Sequence, residues 1–529
     1  MKFAHSLCST CTGLAMFSLA TQAATLTVNP SGGLGIHPDI SSAIAAATSG
    51  DTIVVQPTIY QENLVLGKDL TFVSAIAGIP VVVDGRSAGS VLICNANVTD
   101  ATSFTNFEFF NGNSWNGAGA LLMGADPVFV DCRFYENTAN NDGGGVWSWG
   151  DPSFNNCQFY SNTAGKDGGG LYVVKGSVEL IDSDLELNTA DFGGGIVVDA
   201  SHLEMAQSNL IDNSSTWGGG GVVAINSSTV DLHGTLFDNN RSANGGSLYS
   251  VDSTCEANAC TFNNGAAWNW GGHVIGYQSE FNFENSIFES GHADLRGGMM
   301  HLVDSSYNGL ENSFLNGDSP GGAMFWAERT VMDIDGSLFE GSTSVGEPFE
   351  THGRAIYMAN CNMTAADTEF RLLKTSEPKA KSLIMQYLST ADYTSCTFDS
   401  CRVQPGLSIS GVSFIPAAIV RNQNSTSSMV MCQVTYNNAG PAGDIIAQYG
   451  NGPGPAQGLL IQDSELKYNG PPSSSSTSGK RKRRNAVARK YTGNGFLELE
   501  DNLFCSNKIP HWRGMITNLG GNVRSNTCP

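Results

Sequence analysis

The sequence predicts an all-β fold, a parallel β-helix in which one short unit winds once per coil and stacks on the unit before it. Three observations predict it. Glycine clusters recur at Gly143-Gly144-Gly145, Gly168-Gly169-Gly170, Gly193-Gly194-Gly195, Gly218 to Gly221, Gly245-Gly246, Gly271-Gly272, Gly297-Gly298 and Gly321-Gly322, 24–27 residues apart. A second signal keeps the same interval: Phe134 with Asn137, Phe159 with Asn162, Leu185 with Asn188, Leu210 with Asn213, Phe237 with Asn240 and Phe262 with Gly265. Phe288, Phe314, Phe339, Phe370 and Phe398 continue it with drifting neighbours. Between the signals lie short alternating runs such as Val178-Glu179-Leu180-Ile181, the pattern of half-buried strands, with no space for a helix of ~10–12 residues.

Composition agrees. The 529 residues include 62 Gly and 18 Pro, and only 14% are charged. That is too little Pro for collagen. A hydrophobic content of 41% is too high for a disordered chain. The net charge of −22 argues against non-specific binding to nucleic acid, whose phosphates would be repelled. No apolar run after residue 24 approaches the ~20 residues that span a bilayer.

Residues 1–24 read as a secretory signal: Lys2 supplies the charge, Leu7 to Ala20 the apolar stretch, and Thr21-Gln22-Ala23 the small residues for cleavage. A secreted chain in an oxidising compartment is therefore expected. The β-helix is expected over 25–470, opening with a cap at about 38–63. Pro38 to Ala47 reads as a short helix that turns Ala43, Ile44 and Ala47 onto the first coil, since an open coil would expose core and sheet edge. Each repeat holds two or three short strands. Gly tolerates positive φ at a corner, and Asn both tolerates the left-handed region and satisfies turn groups through its stacked side chain. Residues 50–470 would make about 17 coils and a rod of roughly 80 Å at the spacing of strands.

The segment Gly50-Asp51-Thr52-Ile53-Val54-Val55-Gln56-Pro57-Thr58-Ile59-Tyr60-Gln61-Glu62-Asn63 resembles the opening coil of secreted right-handed β-helix proteins of the pectin-lyase-like superfamily, except that Thr58 replaces a usual Gly. The Phe-x-x-Asn and Gly-Gly repeats resemble those of chlamydial polymorphic outer-membrane proteins. The stretch from Phe504-Cys505-Ser506-Asn507 to Cys528-Pro529 resembles their last coil. The resemblance implies a right-handed parallel β-helix solenoid; one fold hosts many functions, so it implies little about activity. A Ser-rich, basic insertion is expected at 471–490, with Lys480 to Arg484 at its centre, before a cap coil at 491–529.

Cys132, Cys157, Cys260 and Cys396 each precede a repeat Phe by two residues, where other coils place Ser183, Ser208, Ser286 or Thr368. The slot wants a small side chain, which a buried free Cys supplies. Cys132 and Cys157 would stack on adjacent coils, as free thiols or as a disulfide. Cys505–Cys528 is the expected disulfide, with Cys255–Cys260 and Cys396–Cys401 as looser pairs.

After each Gly cluster an aliphatic residue is expected to point inward and the next one outward. This places Trp147, Tyr172, Tyr249, Phe325 and Tyr357 on an exterior ladder, a platform for sugar rings or a protein, or simply cross-strand stacking. Asp142 and Asp167 precede Gly clusters and are the candidate Ca²⁺ ligands, against a solvated acidic turn. Pectin-lyase-like enzymes use either a Ca²⁺-binding acidic cluster with an Arg base or paired carboxylates. Only fragments of the hydrolase set occur (Asn188-Thr189-Ala190, Gly291-His292-Ala293, His352-Gly353-Arg354), and no Asp-Asp pair. Asp294, Arg296, His301, Glu350 and Arg354 form the one candidate catalytic cluster.

The reading favours a secreted, monomeric, non-catalytic β-helix that binds an extracellular glycan or a cell-surface protein and needs no cofactor, Ca²⁺ being the one candidate. The alternative is a polysaccharide lyase or glycoside hydrolase.

Overall fold

In the computed structural model the chain is a parallel β-solenoid. The structure describes residues 23–342 continuously, then 353–375, 382–403, 418–435, 437, 444–449, 458–467, 469, 488–490, 496–505, 512–513, 517–520 and 522–525. Residues 1–22 of the signal expected at 1–24, Glu350, most of the expected basic insertion and Cys528 lie outside the described residues. Ala488–Lys490, at the end of that insertion, is a strand paired with Ile446 to Gln448. No helix among the described residues is long and apolar enough to cross a membrane.

One coil shows how the repeat becomes structure. Ser177–Ile181, Asp184–Glu186, Thr189–Phe192 and Ile196–Asp199 are its strands. That is one strand more than the alternation predicted, because the Asn–Gly stretch itself adds a short paired strip. Each strand pairs in parallel with its counterpart one coil on: Val178 with Leu203, Leu185 with Leu210, Thr189 with Ser214, and Ile196 with Val222. We refer to the four resulting ribbons as the first face, second face, turn strip and third face, in that chain order.

The repeat phenylalanines stack through the core, as their period predicted. Ring centroids lie 5.1 Å apart for Phe109–Phe134, 5.2 Å for Phe134–Phe159, 4.7 Å for Phe237–Phe262 and 5.0 Å for Phe288–Phe314. A second stack, Phe72–Phe104–Phe129–Phe154, runs up the first face and meets the other edge-on.

The asparagines stack through their side chains and do not themselves take the left-handed backbone. Asn137, Asn162, Asn188, Asn213 and Asn240 are fully buried. Asn162 Nδ2 donates to Asn188 Oδ1 (3.0 Å) and to Phe134 O (2.8 Å), while Asn188 Oδ1 also accepts from Asn162 N (3.0 Å). The left-handed backbone falls on the residue before each one: Glu136, Ser161, Leu187, Asp212 and Asn239. The corner glycine does take positive φ, +67° at Gly168. Its neighbour Gly169 is needed for another reason, since a Cβ there would collide with the backbone of Gly194 and Thr189 on the next coil.

The N-terminal segment explains its motif. The helix is Ile40–Ala46, with Asp39 accepting from Ser42 N at 2.7 Å, and Ala43, Ile44 and Ala47 are buried. Glu62 accepts from Ile40 N and Ser41 N, and so ties the helix start to the first coil. Asp51 accepts from Thr48 N and Ala24 N; these backbone donors hold its carboxyl below the usual range.

Cys94, Cys132, Cys157, Cys255, Cys260, Cys361, Cys396, Cys401 and Cys432 are buried free thiols. The looser pairs Cys255–Cys260 and Cys396–Cys401 are therefore corrected. Cys255 faces inward between Val230 and Phe281, whereas Cys260 occupies the corner slot. That slot selects for more than size: Ser183 Oγ accepts from Cys157 N, and Ser208 Oγ from Ser183 N, each at 3.0 Å. Cys505 is buried on the strand Leu503–Cys505.

Candidate functional site: a groove along the third face

The outward rows of the third face and the turn strip run side by side, and between residues 166 and 251 they open into a groove. Parallel register places Trp147, Tyr172, Val197, Val223, Tyr249, Ile275, His301, Trp326 and Tyr357 in one row. Two residues further along each strand, a second row includes Trp149, Val174, Asp199, Ile225, Val251, Tyr277 and Glu328. The turn strip folds over the edge of these rows. Its last position runs Asp167, Phe192, Gly218 and, further on, Asn244, Trp270, Arg296. Asp142 stands one coil before Asp167, where Gly143 N donates to Asp167 O.

This wall changes what an outward side chain means. Val197, Val223, Ile275 and Trp326 all point away from the core, yet none is more than 1% exposed. Tyr172, Val197 and Val223 form their own apolar cluster with Trp147, Phe192 and Tyr249. One predicted member moves. Phe325 pairs with Met300 and Ile356, so it faces the core, and Trp326 takes the outward place beside His301. The reason is the phase of the glycines: Gly322 carries the positive φ that Gly297 carries one coil earlier, so Gly321-Gly322 is offset by one from Gly297-Gly298.

The groove begins at an acidic end. Tyr172 Oη donates to Asp199 Oδ2 at 2.9 Å, and Asn226 Nδ2 to Asp199 Oδ1 at 2.6 Å. Burial and this carboxylate raise the Tyr172 phenol far above its usual range. Burial, then the charges of Asp142, Asp191 and Asp199, push Asp167 up to about 6, against the opposing pull of Lys166. Asp142 is raised mainly by burial. Asp167 lines a hollow of about 560 Å³ together with Lys166, Asp191, Phe192, Trp217, Asn226 and Tyr249. Among the described residues no three His, Cys, Asp or Glu side chains converge to hold a metal ion.

Five coils on, the same rows carry Arg296 set against Glu328. The Arg296 guanidinium lies 4.3 Å from the Trp326 ring, and its Nη1 is 3.8 Å from Glu328 Oε1, which also accepts from Trp326 Nε1 at 2.8 Å. Tyr357 stacks on Trp326 with centroids 4.1 Å apart. His301 sits among Trp270, Tyr277 and Trp326, and its Nδ1 has no partner. Burial, then Arg296, pushes its pKa down to about 3, so it is neutral at ordinary pH.

The predicted catalytic cluster is thus divided. Arg296 and His301 come together. Asp294 instead bonds His292 on the turn strip (Nε2 to Oδ1, 3.0 Å), whose other nitrogen reaches Asp318 at 3.1 Å. Arg354 lies in the strand Gly353–Ala359 and its side chain is outside the described residues. The sequence reading missed Asp199, Phe192, Trp217, Trp326 and Glu328 as groove residues. Alternation within the strands could have found Glu328 and Asp199, two residues after Trp326 and Val197.

No protein-family model matches the chain, and no curated protein matches it. Among solved structures it is similar to a PL6-family alginate lyase (TM-score 0.28, 9% identity, covering 94% of this chain and 100% of that one). It is also similar to pectin methylesterase PemA of Erwinia chrysanthemi (TM-score 0.23, 12% identity, 55% of this chain and 90% of that one). A third similarity is to the catalytic domain of a GH87 alpha-1,3-glucanase (TM-score 0.22, 10% identity, 94% of this chain and 69% of that one).

Proposed function

We propose that the chain works outside the cell on a polysaccharide laid in this groove, and that Asp167 delivers a proton to the glycosidic oxygen. The observation that carries the reading is the pairing of a hollow lined by Phe192, Trp217 and Tyr249 with the Asp167 carboxyl in its wall, raised to about 6. Aromatic faces suit sugar rings. A carboxyl that keeps its proton near pH 6 is matched to general-acid work, and hydrolysis needs a second carboxylate nearby, for which Asp142, Asp191 and Asp199 are the candidates. So much acid at the reacting end favours a neutral glycan over a uronate. A second reading, capture of a glycan without turnover, is supported by the exposed Trp217 at the rim, which binding alone would explain.

The test is incubation with a panel of neutral and acidic polysaccharides, following reducing ends and the absorbance of unsaturated products. Reducing ends from a neutral glycan are expected, with a loss of roughly 10²-fold or more in Asp167→Asn. Trp217→Ala should weaken binding with less effect on turnover. Retention of glycan without products would favour capture, and neither retention nor products would sink both readings.

A further inference from the structure

The nine free cysteines among the described residues are unequally placed, and two pairs stack directly on one another. Arg133 pairs with Gln158, and Gln158 N donates to Cys132 O, which sets Cys132 and Cys157 at the same corner of successive coils. Thr397 pairs with Gln433, and Gln433 N donates to Cys396 O, which does the same for Cys396 and Cys432. The four sulfurs repeat one geometry. Each has two carbonyl acceptors at 3.3–3.5 Å, one on its own coil and one on the coil before: Val130 and Phe104 for Cys132, Asn155 and Phe129 for Cys157. Cys396 and Cys432 follow the same pattern. Cys260 occupies the same slot without a Cys neighbour, its own N bonding Ser286 Oγ.

Strands one coil apart stand ~4.8 Å from each other, inside the ~4.4–6.8 Å between Cα atoms that a disulfide needs. The sulfurs also interact within each pair. Hydrogen bonding with Cys432 is the first cause holding the Cys396 thiol below its usual range. Burial, then Cys157, raises Cys132.

We propose that Cys132–Cys157 and Cys396–Cys432 are two dithiol sites that a small disulfide oxidant, such as oxidised glutathione, converts into staples between successive coils as the chain folds. The thiolate of one Cys attacks a sulfur of the oxidant and expels one small thiolate. The sulfur of the second Cys, giving up its proton, then displaces the other. Two protein S–H bonds and the S–S bond of the oxidant are lost; one protein S–S bond and two small thiols are formed, with two electrons passing to the oxidant. Folding is the moment for it, because in the finished coil all four residues are at most 1% exposed.

The full chain is unfolded under reducing conditions and refolded with a reduced and oxidised glutathione mixture. Remaining thiols are then alkylated and non-reduced peptides are mapped by mass spectrometry. The expected result is Cys132 linked to Cys157 and Cys396 linked to Cys432, each pair lighter by two hydrogens, with Cys260 alkylated. Cys132→Ser and Cys432→Ser should each free one partner and leave the other pair linked. They should still fold, since Ser holds this slot at 183, 208, 286 and 337. Recovery of either pair as two alkylated thiols from chain that has regained its β-sheet signal, or linkage of any of the four to Cys260, would overturn the proposal.

Discussion

Asp167 combines the acid role proposed for it with a cost to stability. Burial and three neighbouring carboxylates raise it from 3.8 to about 6. The folded chain therefore holds this proton more tightly than the unfolded chain, and the group lowers stability as pH rises from near 4 through about 6. Asp167→Asn removes that charge. The variant is expected to melt higher than wild type at pH about 8 and alike at pH about 3, below both pKa values, while losing turnover near pH 6. Thermal melts at the two pH values check this; a variant that melts lower at both would mean the carboxylate makes a contact the fold needs. His301 shows what a residue's neighbours add. Its alternation placed it outward, but Trp270, Trp326 and Arg296 cover it, so it is neutral and buried instead of a proton carrier in solvent.

At the scale of an element, the Asn strip is the most sharply tested. In Asn188→Ala, Asn162 loses its acceptor for backbone N and Nδ2, and Phe159 O loses the Nδ2 donor at 2.9 Å. Leaving such buried groups unpaired costs about 1–3 kcal/mol each, so for the three a loss of at least about 3 kcal/mol is expected in denaturant unfolding. Thr163→Ala, on the exposed side of the same coil, should change the midpoint little, because its Thr189 contact is solvent-exposed. The periodic Asn and Phe were legible because each recurs once per coil and each is buried. Their division of labour was less so. Positive φ belongs to Glu136, Ser161 and Leu187, types with no preference for it; the corner is imposed by hydrogen bonds to the coils on either side.

For the whole molecule, the solenoid predicts a modular response. Coils contact their neighbours, so stability is close to a sum of coil and interface contributions. Deleting residues 162–187 joins Ser161 to Asn188, the equivalent of Asn162 26 residues on, and keeps every row in phase. The chain is expected to fold into a rod shorter by about one strand spacing, ~4.8 Å, with a cooperative melt only slightly lowered. Deleting 162–174 alone should abolish the cooperative melt, because the inward rows would then oppose outward ones. Circular dichroism and small-angle scattering distinguish the two; loss of cooperativity in the whole-coil deletion would mean that stability is not nearest-neighbour.

The sequence by itself determined the solenoid, the phenylalanine stack, the buried Asn row and the approximate company of Arg296 and His301. These follow from a period, and residues equivalent in the period must fall in register when coils stack. Only the tertiary structure decided that an outward row is also a covered one. Phe192, Trp270 and Arg296 lie on a turn strip a few residues before the rows they shelter, and whether the strip stands clear of the sheet or folds over it depends on contacts between coils, such as Trp326 beneath Arg296. The same holds for Phe325 and Trp326. The doublet Gly321-Gly322 looks like its predecessors, but the positive φ falls on Gly322, and backbone conformation rather than residue type sets which side chain enters the groove.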